Sequence, residues 1–125
     1  MIIARGRIFK RIEGMNSLEQ KYADYLEINK RKGIIELYRY EKITLRLADR
    51  TTYTPDFQVM FPDGKIQFHE VKGFMRDDAN VKLKVAAEQF PEFQFTLVKW
   101  DKKKQYFYFK KVGERNGDQM FEDEK

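Results

Sequence analysis

Two short stretches carry most of the information about the fold of this chain: YTPDF at residues 53–57 and HEVKG at residues 69–73. Between them lies PDG at residues 62–64, a composition typical of a tight turn. The segments on both sides of the turn are rich in Phe, Val, Ile and Tyr, which favour strands. We therefore expect residues 53–61 and 65–72 to form an antiparallel hairpin.

The register of this hairpin brings two acids together. Pairing about the turn places Asp56 directly opposite Glu70, with Cβ atoms about 4.5 to 5.5 Å apart. Carboxylates that face each other in a largely apolar strand pair repel and lose solvation unless a cation lies between them. Lys72 follows Glu70 by two residues, so strand alternation puts its ammonium group on the same face. The pattern predicts a magnesium site formed by Asp56, Glu70 and the carbonyl of Val71, with Lys72 beside it.

This set of groups suits the hydrolysis of a phosphodiester. A bound divalent ion polarises the phosphate and lowers the pKa of a bound water, and a cationic side chain steadies the attacking water and the developing charge. An ordinary cross-strand ion pair among Asp56, Glu70 and Lys72 would look the same in the sequence. That second interpretation stays open.

Over about residues 17–100 the chain resembles the PD-(D/E)xK nuclease superfamily, and more narrowly its small phage-encoded endonucleases. Pro55-Asp56 matches the PD element, Glu70-Val71-Lys72 matches the ExK element, and a helix is expected on either side. The resemblance implies a restriction-endonuclease-like core, Mg²⁺ as the cofactor with Mn²⁺ as a substitute, and cleavage of DNA, such as branched junctions of phage or mobile-element origin. Many members carry another acid on the first helix. Glu19 matches that position, and its alternative role is that of a first-turn acid favoured by the helix dipole.

The remaining patterns predict one α/β (α+β) domain with a central mixed β-sheet flanked by helices, for which 125 residues are enough. Ser17 and Gln20 have the spacing of a capping box, and Gly33 offers a left-handed stop. Asp77-Asp78 are expected to cap a second helix that Pro91 ends. Besides the central hairpin, the expected elements are a helix over about residues 18–32, strands broken at residues 48–50, the second helix, and strands over residues 93–100 and 105–112.

Charge is distributed unevenly along the chain. Residues 113–125 carry five acids and two bases, so this tail is −3 and leaves +8 on residues 1–112, within a total of +5. We expect a nuclease domain over residues 1–112 and an acidic, flexible tail after it. A basic body with 15% aromatic residues suits DNA as a partner, and Arg76, Lys82 and Lys84 are candidates for contacts with the phosphate backbone. A solvated basic surface is the alternative.

The absence of cysteine excludes a disulfide framework and thiolate-bound metals. His69, the single histidine, should point away from Glu70 by strand alternation and is expected to be structural. The sequence has no apolar stretch of membrane-spanning length and no secretory signal, so we expect a protein of the cytoplasm, or of the host cytoplasm if it is phage-encoded.

Two further interpretations stay open beside the DNA endonuclease. The chain could be a non-catalytic nucleic-acid-binding or assembly module that keeps this fold, although the intact triplet of Asp56, Glu70 and Lys72 argues against a decayed site. It could also be a nuclease directed at RNA. Cutting both strands of a symmetric junction would favour a homodimer with two-fold symmetry.

Overall fold

A computed structural model describes residues 13–73 and 77–113 of the chain. Arg76, the side chains of Asp77 and Asp78, and the tail after Gly113 therefore lie outside the described residues. The described residues form two helices and seven strands, which are, in chain order, α1 (Ser17–Arg31), β1 (Leu37–Tyr40), β2 (Leu45–Ala48), β3 (Thr51–Tyr53), β4 (Phe57–Met60), β5 (Ile66–Val71), α2 (Asp77–Gln89), β6 (Gln94–Asp101) and β7 (Tyr106–Val112).

Five of these strands form one mixed sheet in the order β1-β4-β5-β6-β7, while β2 and β3 pair as a separate two-stranded hairpin. Strands β5 and β6 are parallel because α2 carries the chain back between them, and the other neighbours are antiparallel. The predicted single α+β domain with a central mixed sheet is confirmed.

The central hairpin of β4 and β5 has the predicted register, in which Phe57 lies opposite His69. The turn at residues 62–64 is closed by the Gly64 N–H, which donates to the carbonyl of Phe61 at 2.8 Å. The first strand of this hairpin, β4, is shorter than predicted, because the segment before Phe57 does not belong to the five-stranded sheet. Tyr53 ends β3. Pro55, which has no N–H to donate, lies in the short segment between β3 and β4, where the chain leaves one sheet and enters the other.

Alternation along the strands divides the core into two clusters. Helix α1 covers one face of the sheet, where Tyr22 and Leu26 pack with Phe57 and Val59. Both of these sheet residues are fully buried, and burial of a side chain of this size contributes about 1.5 to 3 kcal/mol. Helix α2 and the β2–β3 hairpin cover the opposite face through a second apolar cluster, which contains Leu45, Leu47, Tyr53, Phe68, Leu83, Ala86, Phe95 and Leu97.

The first helix begins with a capping box one residue earlier than predicted. The side chain of Asn16 accepts a hydrogen bond from the Glu19 N–H at 2.8 Å, and Glu19 Oε1 accepts one from the Asn16 N–H at 3.1 Å. The predicted box of Ser17 and Gln20 is wrong. Asparagine is as good an N-cap as serine, and a glutamate three residues later completes the box with Asn16 and not with Ser17.

The C-terminal ends of both helices agree with the sequence. Gly33 adopts a left-handed φ of 81°, and the N–H of Ile34 donates to the Asn29 carbonyl at 2.9 Å, as in a Schellman motif. Helix α2 ends at Gln89, just before Pro91. Within the described residues, neither helix is long and apolar enough to cross a membrane.

Replacement of the observed cap tests the corrected helix start. Asn16→Ala should lower the free energy of unfolding by about 1 kcal/mol, because it leaves N–H groups of the first turn without their acceptor. Ser17→Ala should change it by less than about 0.5 kcal/mol. Urea unfolding followed by circular dichroism measures both, and an equal loss in the two variants would contradict the assignment of Asn16 as the cap.

Candidate active site

The predicted catalytic residues gather at one end of the sheet. Glu19 lies in the first turn of α1, and Asp56 immediately precedes β4. Glu70 lies at the end of β5, and Lys72 directly follows this strand. The N–H of Glu41, just after β1, donates to the carbonyl of Asp56 at 2.9 Å and so fixes this residue at the sheet end. The fold therefore brings residues from three separate parts of the chain to the same end of the sheet.

Asp56 and Glu70 are in direct contact, as the hairpin register predicts. The N–H of Asp56 donates to Glu70 Oε1 at 3.4 Å, and Asp56 Oδ2 accepts a hydrogen bond from the Val71 N–H at 2.8 Å. Each acid is only 6% exposed. Among the described residues, no hydrogen bond to Asp56 Oδ1 is found, so this oxygen is available to a ligand.

Lys72 shares the face of Glu70, as strand alternation predicts. Its Nζ atom lies 3.2 Å from Glu70 Oε2. The lysine side chain is 26% exposed, whereas that of Glu70 is almost completely buried. This ion pair neutralises one of the two acids and leaves the second without a compensating cation among the described residues.

Tyr53 belongs to the site, and the sequence analysis missed it. Its hydroxyl donates a hydrogen bond of 2.5 Å to Glu70 Oε1. Burial, followed by the charge of Glu70, raises the pKa of the Tyr53 hydroxyl well above its ordinary value, so the group keeps its proton. A continuous strand over residues 53–61 would have turned Tyr53 to the face opposite Asp56. The break at Pro55 is the one signal that could have shown otherwise.

The negative charges of the two acids are only partly compensated within the site. Burial, followed by the negative charge of Glu70, raises the pKa of Asp56 from 3.8 to about 8, and the Val71 hydrogen bond and Lys72 oppose this only in part. Within the described residues no group of three or more His, Cys, Asp or Glu side chains is arranged to hold a metal ion. Two carboxylates nevertheless suffice for Mg²⁺, which keeps several waters or phosphate oxygens among its ligands.

Glu19 faces the site but is already engaged. Its Oε1 atom accepts hydrogen bonds from the Asn16 N–H and, at 2.9 Å, from the hydroxyl of Tyr40. Its negative charge is one of the smaller influences that raise the pKa of Asp56. Glu19 therefore acts as a first-turn acid of α1, and its assistance in catalysis stays a prediction.

His69 lies on the opposite face from Glu70, as predicted. The hydroxyl of Tyr22 and Nδ1 of His69 are 2.6 Å apart, and Nε2 of His69 lies 2.9 Å from Gln67 Oε1. Because that oxygen only accepts, Nε2 carries a proton and Nδ1 accepts from the tyrosine. Burial lowers the pKa of His69 to about 3, so the ring is neutral near pH 7 and takes no part in the acid pair.

The predicted phosphate-binding lysines lie on α2. Lys84 is exposed, Lys82 is half-buried, and Leu83 between them is buried in the core. Neither lysine forms an ion pair with a carboxylate of the described residues. Arg76, the third predicted contact, lies outside the part of the chain that the structure describes.

A family of proteins described as being of unknown function, DUF1064, matches residues 12–106, about three quarters of the chain. The chain belongs to the DUF1064 family. In this DUF1064 protein the matched segment contains both helices and every predicted site residue, and it ends at the first residue of β7. Neither a curated protein nor a solved structure matches the chain.

The buried acid pair predicts a dependence of stability on pH. The pKa of Asp56 is about 8 in the folded protein and 3.8 as an ordinary carboxyl, so its favourable contribution is complete below about pH 4 and is lost as the pH rises towards 8. With a chelator present, Asp56→Asn should therefore gain stability relative to the parent between pH 4.5 and pH 8.

Urea unfolding of both proteins at several pH values measures this difference, and the comparison cancels the titration of other groups. Asp63→Asn is the matched control, because Asp63 lies exposed in the turn of the same hairpin. Parallel stability curves for the parent and Asp56→Asn would contradict the raised pKa of Asp56.

Proposed function

We propose that this protein is a metal-dependent endonuclease that hydrolyses phosphodiester bonds in DNA. The observation that carries the proposal is the contact between two buried acids, Asp56 and Glu70, with the ammonium group of Lys72 beside them at one end of the sheet. The resemblance of Pro55-Asp56 and Glu70-Val71-Lys72 to the PD and ExK elements supports the same chemistry.

The residues present fit a divalent cation. Asp56 has an oxygen without a partner among the described residues, and Glu70 lies next to it, so these two acids would hold Mg²⁺ together with the Val71 carbonyl. Mn²⁺ would bind the same oxygen ligands. When bound, the ion would polarise the phosphate and lower the pKa of a bound water.

Neighbouring groups orient the two acids and set the charge around them. The Tyr53 hydroxyl and the Val71 N–H hold one oxygen of Glu70 and one of Asp56, which fixes the direction of each carboxylate. Lys72, whose ammonium group lies beside Glu70, would stabilise the negative charge that develops on the phosphate. Glu19 adds a further negative charge at the rim, and we propose that it assists in positioning water.

Branched DNA of phage or mobile-element origin is the substrate that we propose, on the strength of the resemblance. Symmetric incisions in such a junction would be made by a two-fold dimer, because a two-fold axis presents two identical sites to two strands. The protein would then act in the cytoplasm of the host cell, where this DNA is found.

One observation favours a rival function. Lys72 pairs with Glu70 at 3.2 Å, and this pair is what a structural ion pair in a non-catalytic nucleic-acid-binding module would also show. Such a module would bind DNA or RNA without cutting it. The two proposals therefore differ in cleavage and in metal binding, and not in affinity for nucleic acid.

Removal of either acid should abolish cleavage. Asp56→Asn and Glu70→Gln keep the size of the side chains and remove a metal ligand, so each should lower the cleavage rate at least about a hundredfold and weaken Mg²⁺ binding. Lys72→Met should lower the rate while metal affinity changes little, because an ammonium group is not a ligand. Cleavage is measured on labelled duplex, single-stranded, flap and four-way-junction DNA and on RNA, and metal binding by calorimetry.

The control for Asp56→Asn is again Asp63→Asn, which should cut at the parent rate. Glu19→Gln isolates the charge of Glu19, since glutamine can keep both the cap and the bond to Tyr40. Full activity in Asp56→Asn would disprove the metal site. Binding of DNA by the parent without any cleavage in Mg²⁺ or Mn²⁺ would instead establish the non-catalytic module.

Binding of DNA should weaken as salt rises, because lysines that contact phosphates release counterions. The slope of log affinity against log salt is about −0.9 for each phosphate neutralised on duplex DNA. If both lysines contact phosphates, Lys82→Gln with Lys84→Gln should make this slope less steep by up to about 2. Lys30→Gln with Lys32→Gln, at the far end of α1, removes the same charge and should leave the slope unchanged. Equal slopes in all three proteins would place the nucleic-acid surface away from α2.

A further inference from the structure

A cavity of about 270 Å³ lies on the face of the sheet that α1 covers, opposite the acid pair. Its floor is formed by side chains of the parallel strands β5 and β6, and its walls by the second half of α1 and by neighbouring apolar residues. The site at Asp56 and Glu70 does not use this cavity, because Glu70 points to the other face.

Four polar side chains form the floor. In the β5–β6 register Gln67 lies opposite Gln94 and His69 lies opposite Thr96, and alternation puts all four on one face. Neighbouring parallel strands that are covered on both faces are usually apolar throughout. A square of polar groups at this position therefore calls for an explanation beyond the packing of the core.

Each amide of the floor makes one hydrogen bond to a side chain of the floor. Oε1 of Gln67 accepts from His69, whose ring is held by Tyr22, and Nε2 of Gln94 donates to Thr96 Oγ1 at 3.1 Å. This leaves the Nε2 donor of Gln67 and the Oε1 acceptor of Gln94 without a partner among the described residues. A donor and an acceptor therefore lie side by side on adjacent strands.

The walls of the cavity are mostly apolar and partly aromatic. Tyr25, Phe61 and Phe109 contribute aromatic rings, and Ile34, which is 53% exposed, lies at the rim. None of the described residues that line the cavity is Asp, Glu, Lys or Arg, so a phosphate, carboxylate or ammonium group would lose its solvation there without a counter-charge in the lining itself. The volume is just below the range of about 300 to 1,000 Å³ that is typical for drug-sized ligands.

We propose that this cavity binds a nucleobase. A base offers flat faces to Tyr25 and Phe109, and its edge carries an acceptor beside a donor, which complement the Gln67 amide and the Gln94 carbonyl. A free nucleoside and a base of a single strand share this chemistry. The proposal does not depend on cleavage by the acid pair, since it concerns the other face of the sheet.

The test uses the full chain labelled with ¹⁵N and follows the side-chain amide signals of Gln67 and Gln94 by NMR. Adenosine and cytidine should shift both signals saturably, and adenosine 5′-monophosphate should bind no more tightly than adenosine. N6,N6-Dimethyladenosine keeps the ring but has no exocyclic donor, so it should bind several-fold more weakly. A single-stranded tetranucleotide is titrated in parallel, and preference for it over adenosine would identify the occupant as a base of a strand.

Gln94→Met removes the free acceptor and should weaken binding by up to about tenfold, the usual value of one hydrogen bond. Gln105→Met, in the exposed β6–β7 turn, is the matched control and should bind as the parent does. Signals of Gln67 and Gln94 that do not respond to any base would overturn the proposal. So would equal affinity of adenosine and its dimethyl analogue together with full binding by Gln94→Met, since the cavity would then be an unspecific apolar crevice.

Discussion

The N–H of Val71 donates a hydrogen bond of 2.8 Å to Asp56 Oδ2, and this bond ties the end of β5 to the residue that precedes β4. It extends the β4–β5 register by one step beyond the last backbone pair of the hairpin. Because side chains alternate, a slip of one residue would turn Glu70 towards α1 and bring His69 to the acid side. The acid pair and the polar floor beneath α1 therefore depend on the same register.

That register could be predicted from the sequence because the turn at residues 62–64 and the apolar residues on both sides agree. The contact between Asp56 and Glu70 and the side of Lys72 follow from it by alternation. The start of α1 could not be predicted correctly, because two overlapping pairs, Asn16 with Glu19 and Ser17 with Gln20, have the same spacing. Only the geometry of the chain entering the helix decides between them.

The parts of the site that sequence reasoning did not find depend on tertiary contacts. Tyr53 reaches Glu70 because the chain bends after β3, and neither the direction nor the size of that bend is encoded in a periodic pattern. The bond between Tyr40 and Glu19 joins β1 to α1 across 21 positions. The square of polar groups on β5 and β6 depends on the register of two parallel strands, and no tight turn joins these strands to fix that register.

The β2–β3 hairpin is inserted between β1 and β4, and it is anchored at its base to both acids of the site. The Glu41 N–H, at its entrance, bonds the Asp56 carbonyl, and Tyr53, at the end of β3, bonds the carboxylate of Glu70. At the other end of the hairpin, the side-chain amide of Gln89 in α2 donates a hydrogen bond to the Leu47 carbonyl of β2. If the acids bind the proposed cation, a molecule that displaced this hairpin would change their cation affinity, and by thermodynamic linkage the cation would change the affinity for that molecule by the same factor. The insertion therefore connects the surface of the domain to the buried acids through a short series of hydrogen bonds.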